Sequence, residues 1–434
     1  MCNRWKNVRF ANVNYIFQLL HFSACGCILT VLFMSNANKH IFISQEENRF
    51  YSRYKSIKNY ENFEVCIVGA GLSGAVIAER YASTTNKSIL LMEKRNHIGG
   101  NCYDYFDNDT RIRVSKYGAH LFHTKYKHVW DYVKSFGEWI PYEHRVRAFV
   151  HGKYVPIPVN IDTVNSLFDL HIETVDEMNR WLRNEQVWYN HYPINSEEMA
   201  LSRVGKRLYE LIFKPYTVKQ WNTTPAELNP SVLARIPVRN NWDDRYFSDP
   251  YQALPQFGYT SIFNKMLKSP HITIRLNSDY FHHRGQVRCG KTFFTGPIDR
   301  YYAELGLPKL EYRSLEFEKK VIRDVHHFQP ASVVNHPNAK TSYTRIVEYN
   351  WFPYQQYNSS DTVIFKERST NIGEPYYPIP SIHNQNIYKI YQSFAEAESG
   401  IHFLGRLANY KYFNMDEAIK NALDLFKVIR YHGS

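Results

Sequence analysis

The run Val65-Cys66-Ile67-Val68 passes straight into Gly69-Ala70-Gly71-Leu72-Ser73-Gly74, and no other stretch limits the fold so tightly. A short unbroken apolar run suits a parallel strand buried on both faces. The glycines after it let the backbone turn tightly and approach a pyrophosphate, whose charge rests on the amino end of a helix predicted over 73–81. A second apolar run, 89–92, ends in Glu93, nineteen residues past Gly74. A dinucleotide fold needs an acid at about that distance to hold a ribose hydroxyl. A glycine-rich strand-to-helix turn alone would say little; two strands, turn and acid together form a complete unit.

The chain around this unit has 434 residues, room for two or three domains, with 44% hydrophobic, 16% aromatic and 22% charged residues. The formal charge of +12 is spread without a Lys/Arg block or a repeated aromatic-basic pattern, which fits an anionic small substrate and argues against nucleic acid. Cys2, Cys25, Cys27, Cys66, Cys102 and Cys289 have no paired metal spacing. With Cys66 inside a buried strand, a reduced compartment is the simpler reading of the folded part. Residues 1–62 form an extension in which 13–34 is long enough to cross a bilayer, after Arg4, Lys6 and Arg9 without an acid. An uncleaved anchor with a cytoplasmic terminus, a cleaved signal and an unstructured leader all remain open for it.

Further along, His120 and His123 stand three apart, but Gly118 implies a turn and no third ligand accompanies them, so no metal is expected. Helices are predicted over 125–136, 161–170 and 197–213, with a hairpin over 145–158 turning at His151-Gly152. Pro215 is expected to break the third helix. Residues 224–239 carry three prolines and two cations, the composition of a mobile flap, and 240–251 reads as an aromatic-acidic loop. Short strand candidates at 271–276, 290–296, 320–327, 331–336 and 345–349, without long helices between them, suggest an antiparallel sheet. A strand at 401–406 enters a glycine turn, and Asn414 with Glu417 three residues on predicts a capped last helix to about 429.

Eight motifs in one order, FEVCIVGAGLSGAVIAER, EKRNHIGGN, YGAHLFHT, LYELIFKPYTVKQW, LARIPVRNNWDDRYF, SYTRIVE, EPYYPIP and FLGRLANYKYFNMD, together resemble the bacterial-type UDP-galactopyranose mutases. The resemblance spans about 63–428. It implies an α/β flavoenzyme: a discontinuous FAD-binding Rossmann-like domain (63–135 and 396–430, with 251–295 a return through the FAD domain or the sheet), a helical insert domain (161–250, with a mobile lid at 227–239) and a twisted antiparallel β-sheet domain (136–160 and 296–395). It also implies redox-neutral interconversion of UDP-galactopyranose and UDP-galactofuranose for glycan biosynthesis. The FAD would be active when reduced, with NADPH or NADH as reductant. Flavin N5 would attack the anomeric carbon, giving a flavin-iminium sugar intermediate. A homodimer is implied, with the catalytic part cytoplasmic, against which the membrane or secretory reading of 13–34 stands.

Motif by motif, the resemblance assigns FAD contacts to Gly69, Gly71, Ser73, Gly74, Glu93, Lys94, Arg95, Gly100, Asn101, His120, Arg406, Asn414 and Met415. Phe213, Tyr216, Thr217, Trp221 and Tyr246, with Asn335, fall on the uridine side, and His144 near the sugar. Arg235 and Arg345 would clamp the diphosphate, with Tyr377 and Tyr412 hydrogen-bonding it and His123 beside the reactive edge of the flavin. Two guanidiniums make chemical sense there, because expelling UDP concentrates charge on phosphate. His144, Ile212, Pro215 and Asn414 depart from the asparagine, phenylalanine, glycine and aspartate common in the family. The competing readings are a flavin oxidoreductase of the amine-oxidase type and an inactive UDP-sugar-binding homologue.

Overall fold

The computed structural model describes residues 60–432. The segment 13–34 and Cys2, Cys25 and Cys27 lie outside the described residues. Among the described residues no helix is long and apolar enough to cross a membrane.

The apolar run at 65–67 is fully buried as the centre of a parallel sheet, in the strand order Ile272–Arg275, Ile89–Met92, Glu61–Val68, Val287–Phe294, Ile401–Phe403. Helix Leu72–Thr84 follows the glycine turn and packs against the last helix, Met415–His432, with Tyr81 edge-on to Phe426 at 5.1 Å. Sheet and helices therefore draw on both ends of the described residues. Because the strands run parallel, the segments leaving their carboxyl ends gather at one edge. Residues 69–74, 93–95, 295–300 and 405–406 all emerge there.

Two sequence expectations change here. The candidates at 271–276 and 290–296 join this parallel sheet, pairing Ile272 with Ile89 and Thr292 with Cys66 and Ile401, and take no part in the antiparallel one. A short strand carries no mark of its direction; the partner it returns beside decides that. The expectation of reduced thiols also fails, since Cys66 and Cys289 are disulfide-bonded across neighbouring strands, Cα to Cα 5.6 Å. Cys102 is the free cysteine of the described residues, and burial pushes its thiol up to about 12.

A seven-stranded sheet runs in the order Tyr377–Pro378, Tyr312–Ile322, Thr362–Thr370, Arg345–Glu348, Val333–Asn335, Val146–Val150, Lys153–Ile157. Only Val333–Asn335 beside Val146–Val150 is a parallel pair. The last two strands form the hairpin, turning at His151 (φ 48°) and Gly152 (φ 80°). Its register sets Asn335 opposite Arg345 and Arg345 opposite Glu367. A three-stranded sheet pairs Phe122–Thr124 and Trp139–Pro141 with Tyr251–Pro255.

The helical segment comprises Ile161–Phe168, Val175–Glu185, Ser196–Leu208 and Lys214–Trp221. Pro215 does not break it. The chain passes through a π turn, Tyr209–Phe213, in which Lys214 N donates to Tyr209 O, so Pro215 falls in the first turn of the next helix, where its missing N–H is not needed. The segment 227–239 is docked, with Leu228 and Leu233 buried and Arg203 donating to the carbonyls of Leu233 and Ala234 at 2.9 and 3.1 Å. Helix Ile382–Ala397, which the sequence reading passed over, is capped by Ser381, whose hydroxyl accepts from Asn384 N.

Candidate functional site

Two cavities meet at the carboxyl edge of the parallel sheet. The first is lined by Gly69, Gly71, Ser73, Glu93, Lys94, Arg95, Gly100, Asn101, His120, Arg406, Asn414 and Met415, all expected as cofactor contacts. Its shape depends on missing side chains. Gly69 has φ +100°, and a Cβ there would lie 2.2 Å from Thr295 Oγ1. One on Gly74 would lie 1.9 Å from Gly69 O, and one on Gly100 2.8 Å from Gly71 Cα. Gly74 itself does not line the cavity; it lets the helix seat against the turn. Helix Leu72–Thr84 begins with no side-chain cap and no acid in its first turn, so its free N–H groups and positive end serve an anion.

Glu93 is buried and its carboxylate accepts from Ala70 N and Arg95 N, both at 2.9 Å, which leaves lone pairs for a ribose hydroxyl. Arg95 donates to Asn101 Oδ1 at 2.9 Å and lies 4.2 Å from the Tyr117 ring centre. Lys94 is engaged with Glu374. Thr295 and Arg300, which no local pattern singled out, complete the wall. The donor set fits a dinucleotide: a cradle with no room for a Cβ at Gly69, Gly74 or Gly100, an uncapped helix start and three arginines, Arg95, Arg300 and Arg406.

The second cavity is lined by His123, His144, Tyr216, Thr217, Trp221, Arg235, Tyr246, Asn335, Arg345, Tyr377 and Tyr412. His120, Arg406, Asn414 and Met415 line it as well, so the two cavities share a wall. Phe213, expected on the uridine side, is not brought there; the π turn rotates it into the core, where it is 7% exposed. Trp221, Tyr377 and Tyr412 form an aromatic group with centroids 5.2–6.3 Å apart.

Arg235, on the docked segment, lies 4.3 Å from the Tyr412 ring centre and donates to Asn414 Oδ1. The Asn414 side chain is thereby diverted from the helix it was expected to cap, and half of the capping box remains, with Glu417 Oε2 accepting from Asn414 N at 2.7 Å. Arg345 Nε donates to Glu367 Oε2 at 2.5 Å, and the Glu367 side chain is 1% exposed. Burial works against the Arg345 charge, yet Glu367 with Tyr216 and Tyr377 holds its pKa above the ordinary value, so the guanidinium stays charged.

Burial, then Arg345 and His123, lowers His144 to about 3, and burial chiefly lowers His120 to about 4. Both rings are neutral near pH 7. Burial and the neighbouring Tyr412 push Tyr377 up to about 12, keeping its hydroxyl a donor. The cavity therefore offers two fixed cations, phenolic donors and stacking faces, the means to hold a nucleoside diphosphate and stabilise it as a leaving group. Glu367 and Asp249, partners of Arg345 and His123, were missed; each stands far from its partner in sequence and no local motif marks it.

Residues 211–412 match the sequence model of the UDP-galactopyranose mutase family, and residues 67–136 that of an NAD(P)-binding Rossmann-like domain. The chain is 38% identical over 367 residues to a probable UDP-galactopyranose mutase of Klebsiella pneumoniae, covering 83% of this chain and 93% of the relative. It is 36% identical over 373 residues to a dTDP-fucopyranose mutase of Escherichia coli, covering 83% and 97%. A solved reduced UDP-galactopyranose mutase shares the fold at TM-score 0.68 and 17% identity, covering 85% and 96%. A solved variant of putrescine oxidase shares it at TM-score 0.53 and 12% identity, covering 86% and 99%. The fold is thus shared by a mutase and an oxidase alike, and at these identities it does not tell one activity from the other.

Proposed function

The chain belongs to the UDP-galactopyranose mutase family, a family of isomerases, and we propose that it interconverts UDP-galactopyranose and UDP-galactofuranose with FAD held in the first cavity. One observation carries this reading: His120, Arg406, Asn414 and Met415 wall both cavities, so a dinucleotide in one borders a site that holds Arg235 and Arg345 among aromatic rings. An amine-oxidase site would have no use for two guanidiniums.

In this reading Gly69, Gly71 and the start of helix Leu72–Thr84 receive the pyrophosphate of FAD, Glu93 a ribose hydroxyl, and Arg406 borders the ring. Reduced by NADPH or NADH, FAD supplies N5 as the nucleophile toward the anomeric carbon. The protein does the rest. Trp221, Tyr216 and Tyr246 bind the nucleoside; Tyr377 and Tyr412 donate to the diphosphate. Arg235 and Arg345 bind more strongly as negative charge gathers on the departing UDP, so they favour the transition state over the bound substrate.

The test is a purified protein reduced with dithionite, given UDP-galactofuranose and followed by chromatography. Formation of UDP-galactopyranose, and none with oxidised flavin, is expected. Turnover by the oxidised protein with oxygen consumption would replace this reading with the oxidase. A second reading, that the substrate is a dTDP-linked 6-deoxy sugar, is favoured by the likeness to the Escherichia coli relative. Running dTDP-fucopyranose as a competing substrate decides between them through the ratio of kcat/KM values.

A further inference from the structure

His123 sits on strand Phe122–Thr124, opposite Gln252 of strand Tyr251–Pro255. The Gln252 amide donates to Asp249 O at 2.9 Å and to Phe247 O at 3.4 Å, fixing the backbone of the loop that precedes its own strand. From this loop two side chains turn onto one imidazole. Phe247 stacks on the His123 ring at 3.6 Å and 14°, and Asp249 Oδ2 lies 2.6 Å from His123 Nδ1. The hydrogen bond from His123 holds the Asp249 carboxyl below its usual range, so Asp249 is an acceptor only and Nδ1 carries a proton. Nε2 has no partner among the described residues, and His123 lines the second cavity.

The other ionisable groups near the pair are Lys125, whose charge also lowers Asp249, Asp416, at the start of the last helix and hydrogen-bonded to Thr124, and neutral His144 beyond Phe247. One oxygen of Asp416, Oδ1, is buried without a partner. Strand pairing and Gln252 already secure the loop, so the ion pair is not required as a strap. Its effect falls on the ring: one face covered, one nitrogen engaged, the other free toward the cavity. An acid-base histidine is held this way.

Converting a pyranose into a furanose requires two proton movements on the sugar. The ring oxygen leaves the anomeric carbon with the bonding pair and must become a hydroxyl, while the 4-hydroxyl must lose its proton as its oxygen bonds to that carbon. We propose that His123 carries both protons and that Asp249 is its positioning residue. The imidazolium gives the Nε2 proton to the departing ring oxygen. The neutral imidazole then takes the proton of the 4-hydroxyl, whose O–H pair becomes the new bond from oxygen to carbon. One C–O bond breaks, one forms, and His123 ends in the state in which it began, with no outside acid or oxidant. The inference rests on the mutase reading above.

The experiment uses the full chain with bound, reduced flavin and compares His123→Gln, Asp249→Ala and Asp249→Glu. UDP-galactopyranose labelled with ¹⁸O at the anomeric bridging position reports C–O cleavage by scrambling into non-bridging positions, a step that needs no proton relay. In Asp249→Ala and His123→Gln, ring contraction should fall about 10²- to 10⁴-fold while scrambling stays within about threefold. Asp249→Glu should restore part of the loss, and the Gln/Ala double variant should resemble either single one. Contraction and scrambling falling together, or contraction unchanged, overturns the proposal.

A separate readout is the ¹⁵N signal of the His123 ring in the oxidised, non-turning protein. It should report Nδ1–H in the wild type and a tautomer mixture in Asp249→Ala. Nε2–H with a bare Nδ1 in the wild type overturns the dyad even in an active mutase. A wild type that neither contracts nor scrambles overturns the mutase reading and leaves the dyad standing on the nitrogen signals.

Discussion

Arg345→Met is the most informative single perturbation, because Arg345 has two partners of different kinds. On one side it lines the cavity, where the proposed reaction would place the leaving phosphate; on the other, Nε donates to Glu367 at 2.5 Å. The Arg345 side chain is 28% exposed, so water can solvate part of its charge, but Glu367 at 1% has no such recourse and its Oε1 has no partner among the described residues. Removing the guanidinium therefore strands a buried carboxylate, at a cost of about 3–5 kcal/mol. For a unit of roughly 370 residues the entropy of unfolding is about 0.8 kcal/mol/K, so the midpoint should fall by about 4–6 °C.

Adding Glu367→Gln replaces the stranded charge with an amide and should recover about 2 kcal/mol of that loss. Glu367→Gln alone, beside an arginine that retains solvent, should cost only about 1–2 kcal/mol. Turnover behaves differently: both Arg345→Met and the double variant should lose about 10²- to 10³-fold, because neither restores the charge on the leaving group. Melting of the flavin-loaded proteins, with turnover assayed well below every midpoint, separates the two roles. A double variant that regains turnover along with stability would refute the clamp. Unchanged melting of Arg345→Met would refute the buried pair.

Arg235→Ala makes the contrast: exposed, with the Asn414 amide and the Tyr412 ring as its side-chain partners among the described residues, it should shift stability by under about 1 kcal/mol yet slow turnover about 10²-fold or more, seen in the same two assays. Gly74→Ala should lose flavin, measured as flavin absorbance relative to protein absorbance, since its Cβ would lie 1.9 Å from Gly69 O. His144, 4% exposed and lowered to about 3, contributes stability that is full above an unfolded pKa of about 6.5 and lost as pH falls toward 3. At pH 5 that loss is about 2 kcal/mol, and His144→Asn should remove it from the denaturant midpoint measured against pH. In denatured, unreduced protein Cys102 should react with a thiol reagent while Cys66 and Cys289 should not, read by peptide mapping, and Cys289→Ser should cost about 3–5 kcal/mol because the bond closes a span of 223 residues.

Much of the candidate site was legible because its chemistry is local. The turn at 69–74 carries three glycines at set spacing, and the structure gives Gly69 and Gly74 a steric reason. Aromatic and cationic residues near Trp221, Arg235 and Tyr377 stood out against their surroundings, and folding brings them to one cavity. Phe213 was misread because a single π turn changes which residues face the cavity, and helical spacing does not reveal that turn. The sequence expectation at Pro215 failed for the same reason: whether a proline breaks a helix depends on whether its N–H would have had an acceptor.

By itself the sequence determined the family, the dinucleotide turn, the hairpin at 151–152 and most side chains of both cavities, since these depend on neighbours within a turn or a strand. Only the tertiary structure decided the rest. It sent the strands at 272–275 and 287–294 into the parallel sheet, joined Cys66 to Cys289, paired Arg345 with Glu367 and set Asp249 against His123. Each of these joins residues or strands that only the global pairing of elements brings together. Strand direction, disulfide partner and counter-ion are properties of that pairing, and a side chain read along the chain carries none of them.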